Sequence, residues 1–143
     1  MITMAKNKML VVYNICGISG KDNSDYYVDA INTITSQDCD DYVLAVSACR
    51  NPDYQIKKIL ENCKVDFVNS IDDVLPVNIT FNSTVREAVK TFGDFEAFLY
   101  LDSGVKFTSK DQLSKLFSLY ESGNYGMVSA QVDSDFGWCW FGL

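Results

Sequence analysis

One acidic residue stands where a buried strand is expected to end. Asp102 follows the hydrophobic run Phe98-Leu99-Tyr100-Leu101 and precedes Ser103-Gly104. A strand ending there places a single carboxylate at the rim of a sheet, where Mg²⁺ or Mn²⁺ binds well together with diphosphate oxygens and water. The simpler interpretation is an aspartate that stabilises its own loop by an Asx turn toward Gly104. Both interpretations predict that Asp102 lies in a loop directly after a strand.

The residue types of the chain exclude several classes of enzyme. Histidine is absent, so the chain supplies neither a Ser-His or Cys-His dyad nor an H-E-x-x-H zinc site. The cysteines are odd in number and include no C-x-x-C pair, which favours buried free thiols in a reducing compartment. They are Cys16, Cys39, Cys49, Cys63 and Cys139.

Length, composition and charge predict one globular domain. The chain has 143 residues, of which 48% are hydrophobic and 22% charged, enough for a single packed core. A net charge of −7 disfavours nucleic acid and anionic membranes as partners, because both attract clustered Lys and Arg. The first apolar stretch, Met9 to Tyr13, is too short for a signal sequence or a membrane span. We therefore expect a cytoplasmic protein.

Short apolar runs alternate with helical patterns along the chain. Strands are predicted at Met9 to Tyr13, Tyr42 to Val46, Val65 to Val68, Phe95 to Leu101 and Tyr125 to Val132. Because these runs are short and apolar, the strands are expected to be buried on both faces. The alternation predicts an α/β fold with a mostly parallel central sheet covered by helices on both sides.

Capping residues predict where the helices between the strands begin. The helices are predicted to start at Ser24 or Asp25, at Asn51-Pro52, at a capping box opened by Thr84, and at a capping box opened by Ser109. In the second helix, Leu60 is predicted to face inward with Ile56, Ile59 and Cys63. Ile71 to Ile79, which contains Pro76, is predicted to be a loop.

Parallel sheets of this kind bind ligands outside the carboxyl ends of their strands. The polar segments expected at that edge are Tyr13-Asn14, Ser47 to Asp53, and Asp102 to Gly104. These segments are the candidate binding site before any family is considered.

Four segments, in order along the chain, resemble landmarks of the family 2 glycosyltransferases. Val12-Tyr13-Asn14 is similar to the family's V-Y-N opening, and D-A-I-N-T-I-T-S-Q-D within Tyr27 to Asp38 is similar to its a-l-x-S-i-x-x-Q helix end. Asn82 to Ala88 resembles the N-x-g-x-x-x-A helix start. Phe98 to Asp102 resembles the strand that leads into the D-x-D motif. The order and spacing of these segments, over almost the whole chain, carry the resemblance.

The resemblance implies a GT-A fold whose N-terminal half binds a nucleotide diphosphate sugar. It implies that Tyr13 and Asn14 lie beside the nucleoside, and that Asn82 and Arg86 lie near the nucleotide cleft. Asp102 would take the first carboxylate position of D-x-D, near the ribose or a bound Mn²⁺ or Mg²⁺. Such a cation would stabilise the charge of the diphosphate leaving group while a carboxylate deprotonates the acceptor hydroxyl.

The chain departs from the family pattern at two motifs. Ala48 and Cys49 stand where the family has an Asp-Asp pair that holds the base, so Asn51 and Asp53 are the candidate substitutes. Gly104 takes the second acidic position of D-x-D, which predicts a reduced affinity for the metal.

The end of the chain predicts an incomplete enzyme. Leu143 follows soon after the strand expected next to the D-x-D segment, so most of the acceptor half, with its general base, is expected to be missing. Asp133 and Asp135 are the remaining acids, interpreted as solvated loop charges. The aromatic tail Phe136 to Leu143 suits either a sugar-binding surface or a last strand that packs on the core or on a second copy of the chain.

Two other functions remain open from the sequence. A noncatalytic relative could keep the fold as an interaction or sugar-recognition module, which the departures at Ala48, Cys49 and Gly104 favour. An unrelated doubly wound α/β domain would share the same general features, because a fold alone does not determine function.

Overall fold

The structure is a computed structural model that describes residues 7–17, 20–73, 75–123, 132–134 and 137–139. Strands and helices alternate along most of this length. The strands are β1 (Asn7–Cys16), β2 (Tyr42–Cys49), β3 (Phe67–Ile71), β4 (Phe95–Leu101), β5 (Val132–Ser134) and β6 (Gly137–Cys139). The helices are α1 (Ser24–Thr35), α2 (Asp53–Asn62), α3 (Val77–Phe92) and α4 (Gln112–Ser122).

The first four strands form one parallel sheet in the order β3-β2-β1-β4. β1 is paired over its whole length, with Met9 opposite Tyr42 of β2 and opposite Ala97 of β4. β5 and β6 form a separate antiparallel pair. The prediction of an α/β fold with a parallel sheet is confirmed.

Two apolar cores cover the two faces of the sheet. On one face, the strand residues pack against α1, α2 and α4, with Tyr27, Ile59 and Leu113 all buried. On the other face, Leu10 and Val12 of β1 pack against α3. The alternation of strand side chains between the faces explains why every residue of β1 from Met9 to Ile15 is buried. The predicted layers, with helices on both sides of the sheet, are confirmed.

α3 begins earlier than the sequence analysis predicted. The predicted loop from Ile71 to Ile79 is wrong in its second part, because the helix starts at Val77, directly after Pro76. Proline suits a helix start, since its fixed φ is compatible with the first turn and its missing N–H is not needed there. Thr84 therefore does not cap the helix; it lies in the middle of α3 and its hydroxyl donates to the carbonyl oxygen of Thr80 at 2.9 Å.

The inward face of α2 also differs from the prediction. Leu60 is 53% exposed, whereas Gln55 is 1% exposed and lies under the helix with Ile59. Leu60 was predicted to be buried because it is apolar and follows Ile59, but it lies one position outside the buried face of the helix. The polar Gln55 is buried because its side-chain amide has partners there, as described below.

Other boundaries differ by a few residues. β1 and β2 extend to Cys16 and Cys49, beyond the apolar runs, and β3 starts at Phe67 rather than Val65. The N-cap of α1 is Asn23, not Ser24 or Asp25. The prediction that Ser109 opens α4 is wrong, because the helix begins at Gln112 with Asp111 as its N-cap. Gln112 Oε1 does accept the backbone N–H of Ser109 at 3.1 Å, but in the turn before the helix.

The predictions for the C-terminal part fall largely outside the described residues. Of the strand predicted from Tyr125 to Val132, Val132 lies in β5, and 125–131 lie outside the description. Asp133 lies in β5, and Asp135 lies outside the description, as do parts of the aromatic tail. Among the helices that the structure describes, none has the length and apolar character needed to cross a membrane.

Candidate functional site

The strand order predicts a crevice at one edge of the sheet. From the carboxyl end of β1 the chain turns to α1 on one face, whereas the connection from β3 to β4 runs through α3 on the opposite face. Such a reversal between two neighbouring strands leaves an opening between the loops that follow them. Here the reversal lies between β1 and β4, and its two loops start after Cys16 and after Leu101.

The loop after β4 is tied to the first half of the chain by tyrosines. The Tyr13 hydroxyl donates to the carbonyl oxygen of Ser103 at 2.8 Å, and the Tyr26 hydroxyl donates to that of Gly104 at 2.9 Å. Asp102 Oδ1 accepts the backbone N–H of Ser103 at 2.8 Å. The carboxylate thus stabilises its own loop, through Ser103 rather than through Gly104, and still lies at the sheet edge.

Burial keeps two tyrosines of this region protonated. Burial raises the pKa of Tyr13, whose ring is fully buried, and the nearby Tyr26, Tyr27 and Asp102 raise it further. Burial likewise raises the pKa of Tyr100, and the adjacent Asp102 carboxylate adds to the rise. Both phenols are therefore neutral hydrogen-bond donors at physiological pH. The Tyr100 hydroxyl lies 3.5 Å from Asp102 Oδ1.

A row of polar residues crosses the sheet at its carboxyl edge. Asn14 of β1 is in register with Ser47 of β2, which is in register with Asn69 of β3. Tyr13 is paired with Leu101, so the next position on the β4 side is Asp102. These four residues, Asn69, Ser47, Asn14 and Asp102, are called the polar row. The polar row follows strand residues that are mostly apolar and buried, so a polar group left without a hydrogen-bond partner there would be costly.

Part of the polar row is satisfied by α3. Asn69 Nδ2 donates to Thr84 Oγ1 at 3.1 Å and to Ser83 Oγ at 3.2 Å. The Thr80 hydroxyl lies 3.5 Å from Asn14 Oδ1. Ser47 Oγ, although fully buried, has no hydrogen-bond partner among the described residues. A water molecule or a ligand atom at this edge would satisfy it.

The turn after β2 is unusually constrained. Arg50 has a φ of 52°, in the left-handed region that non-glycine residues seldom adopt. The backbone N–H of Arg50 donates to Ile71 O at 2.8 Å, and that of Gly17 donates to Cys49 O at 2.9 Å. These bonds hold the ends of β1, β2 and β3 together and leave the Arg50 side chain exposed.

Asn51 and Gln55 form a buried amide pair beside this turn. Asn51 Nδ2 donates to Gln55 Oε1 at 3.0 Å, and Gln55 Nε2 contacts the carbonyl oxygen of Lys21 at 3.4 Å. Asn51 Oδ1 is buried and finds no partner in the part of the chain that the structure describes. Asp53 is exposed in the first turn of α2.

The predicted site residues are only partly brought together. Asn14 and Asp102 lie in the polar row, and Tyr13 lies in the core beneath the loop after β4 rather than on the surface. Asn82 and Arg86 are exposed one helical turn apart on α3, whereas the sheet-facing side of that helix carries Thr80, Thr84 and Ala88. The hydroxyl groups of α3 and the side chain of Asn69 were not predicted as parts of the site.

A second depression lies away from this edge. A groove of 400 Å³ runs between the second half of α1 and the residues before α4, lined by Asp29, Asn32, Thr33, Ser36, Gln37 and Phe107 to Lys110. Several of its polar groups already bond one another, including Gln37 Nε2 with Ser109 O at 2.7 Å.

A metal would find few protein ligands at the polar row. Within the described ranges, no three Asp, Glu, Cys or His side chains cluster closely enough to hold an ion. Asp102 would be its carboxylate ligand, and the remaining ligands would have to come from the bound molecule and water.

Comparison with models of known protein families and with curated proteins finds no match for this chain.

Proposed function

We propose that this chain is the nucleotide-sugar-binding part of a glycosyltransferase of the GT-A type. It binds a nucleotide diphosphate sugar at the carboxyl edge of the sheet, between β1 and β4. The observation that carries the proposal is the contact between β1 and the loop after β4, in which the Tyr13 hydroxyl donates to Ser103 O at 2.8 Å. This contact joins the segments similar to the V-Y-N opening and to the D-x-D motif.

Each part of the edge has a role in the proposal. Asn14 and the buried amide of Asn51 recognise the nucleoside, since amides both donate and accept hydrogen bonds at a base or ribose. The unpartnered oxygens of Ser47 and Asn51 support this assignment, because a ligand or water donor would satisfy them. Asp102 binds the ribose or a cation carried by the diphosphate. Asn82 and Arg86, exposed on α3, border the ligand rather than contact it at the polar row.

The cation is Mn²⁺ or Mg²⁺, bound weakly. Asp102 contributes one carboxylate and Gly104 none, so the affinity for the free ion is low and rises when the diphosphate supplies oxygens. When bound, the ion stabilises the charge that develops on the leaving diphosphate. Asp102, held by the Ser103 N–H, has the fixed position that such a ligand needs.

Transfer of the sugar to an acceptor requires a general base that we do not assign to the described residues. The chain therefore binds the donor substrate, and activity of this chain alone is not expected. Residues on an additional segment or on another protein would complete the reaction.

A noncatalytic sugar-recognition module is the second candidate. The end of β2 favours it, because Ala48 is fully buried and Cys49 donates its thiol to Asp73 O at 3.2 Å, so neither position offers a carboxylate to a base. Such a module would bind sugars or a protein partner with no requirement for a nucleotide or a metal.

The test is a calorimetric titration of the full chain with UDP and GDP, with and without Mn²⁺. We expect saturable binding of one nucleotide, tighter by about tenfold with Mn²⁺, which corresponds to ~1.4 kcal/mol. Asp102→Asn should abolish the difference in nucleotide affinity between the buffers with and without Mn²⁺, since it removes the carboxylate and keeps the shape of the side chain. Asp94→Asn is the matched control, because the exposed Asp94 precedes β4 at the opposite edge of the sheet.

The outcomes separate the two candidates. An Mn²⁺ effect that persists in Asp102→Asn would contradict the proposed metal site. The absence of any heat with either nucleotide, in both buffers, would contradict nucleotide binding and favour the noncatalytic module.

A further inference from the structure

Two cysteines lie side by side at the end of the sheet. Cys16 is the last residue of β1, Cys49 is the last residue of β2, and the two are paired in the parallel register. Neighbouring parallel strands lie about 4.8 Å apart, and paired residues point to the same face. Cys16 follows Leu10 and Val12 at alternating positions, and Cys49 likewise follows Ala45, so both thiols are on the α3 face.

The spacing suits a disulfide bond. The two Cα atoms of a disulfide are usually about 4.4 to 6.8 Å apart, a range that includes the separation of paired strands. Both residues end their strands, where the backbone continues into a turn and adjusts more readily than in the middle of a sheet. Neither cysteine is part of a disulfide in the described residues.

The two thiols differ in accessibility. Cys16 is half-buried, whereas Cys49 is 3% exposed and its thiol donates to Asp73 O at 3.2 Å. An oxidant from solvent therefore reaches Cys16 first. Cys49 is positioned beside it to react in a second step, as in redox-sensitive cysteine pairs.

We propose that Cys16 and Cys49 form an oxidation site that closes to a disulfide when the protein meets hydrogen peroxide. The Cys16 thiol loses its proton, the thiolate attacks one peroxide oxygen, and the O–O bond breaks to give Cys16 sulfenic acid and hydroxide. The hydroxide takes up the proton that the thiol released and becomes water. The Cys49 sulfur then attacks the sulfenic sulfur, and its proton leaves with the hydroxyl group as water. Two electrons pass from the two thiols to the peroxide, which is reduced to water. A dithiol such as dithiothreitol reverses the reaction by exchange.

This site lies at the same edge as the polar row but does not depend on nucleotide binding. It rests on the strand register, the accessibility of Cys16 and the position of Cys49. A bridge there would link β1 to β2 beside Gly17 and Arg50, two positions beyond Asn14 and Ser47. Its formation can be measured without any ligand.

The experiment treats the reduced, desalted full chain with hydrogen peroxide, blocks the remaining thiols and identifies linked peptides by mass spectrometry. We expect the major product to be a pair of peptides joined through Cys16 and Cys49. Its mass should equal the sum of the two reduced peptides less two hydrogen atoms, and dithiothreitol should separate the pair again. Cys39→Ser and Cys63→Ser, which alter the other described free thiols, are matched controls that should keep the bridge. The wild-type chain alone provides the decisive readout, so the test does not depend on the folding of a variant.

Two outcomes would overturn the proposal. One is a product in which Cys16 is oxidised to sulfinic acid while Cys49 remains a free thiol. The other is a bridge in which either residue is joined to a different cysteine.

Discussion

Gly17 has no side chain, and this allows the ends of β1 and β2 to lie close together. A Cβ atom at this position would lie 2.3 Å from the carbonyl oxygen of Arg50 and 2.9 Å from the Cα atom of Asn51. Both contacts are to backbone, which is held in place by the bonds from Gly17 to Cys49 and from Arg50 to Ile71. The close approach also explains how Arg50 is kept at a positive φ.

Gly17→Ala is therefore expected to destabilise the protein. The added methyl group has to push the Arg50 turn away, and overpacking of this kind costs about 1–3 kcal/mol in the free energy of unfolding. Urea denaturation followed by circular dichroism measures the loss. Gly104→Ala is the control, because a Cβ there meets no atom within 4 Å and the change should stay within about 0.5 kcal/mol. Equal stability of the two variants would contradict the tight contact.

Single residues were also where the sequence analysis was least complete. Asp102 was correctly expected to follow a strand, because the apolar run before it is unambiguous. Ser47 was expected at the same edge as Asn14, but Asn69 was not, since strand register cannot be read from one strand's own sequence. The inward position of Gln55 could not be predicted either, because it depends on its partner Asn51.

At the scale of elements, α3 shows what a capping pattern cannot decide. The pattern at Thr84 fits a helix start, but the same hydroxyl also bonds a carbonyl within a helix, as it does here to Thr80. Pro76 was the stronger signal for the helix start, but it was interpreted as part of a loop from Ile71 to Ile79. The recurrence of Thr80, Thr84 and Ala88 every four residues indicates the sheet-facing side once the longer helix is assumed.

Gln37 connects two elements that are distant in sequence. Gln37 Oε1 accepts the backbone N–H of Leu113 in the first turn of α4 at 2.9 Å, and Nε2 donates to Ser109 O at 2.7 Å. The first N–H groups of a helix have no partner within the helix, so Gln37 satisfies one of them from the end of α1. This contact fixes where α4 begins against the sheet.

Gln37→Ala should lower the free energy of unfolding by about 1–2 kcal/mol, because the Leu113 N–H loses its partner. Gln37→Glu keeps the acceptor and loses the donor to Ser109, so its loss should be smaller. Asn62→Ala is the control, since the exposed Asn62 side chain bonds only within α2, to Lys58 O. Chemical denaturation measures all three variants. A loss in Asn62→Ala equal to that in Gln37→Ala would contradict the role of Gln37.

At the scale of the whole molecule, the order of elements was predictable and the strand order was not. The β-α alternation of short apolar runs predicted the parallel sheet and the helices on both faces. It did not determine that β1 lies between β2 and β4, because several strand orders are compatible with the same alternation. That order brings Tyr13 of β1 into contact with Ser103 in the loop after β4 and places the reversal of the strand order between β1 and β4. The proposed function therefore depends on topology more than on any single motif.

The most direct test of the proposed site is to locate nucleotide binding on the folded chain. Backbone amide resonances of the full chain would be followed during titration with UDP and with GDP in the presence of Mn²⁺. We expect the shifts to concentrate at the carboxyl ends of β1 and β2 and in the loop from Asp102 to Val105. Shifts confined to the groove between α1 and Lys110, or no shifts at millimolar nucleotide, would contradict it.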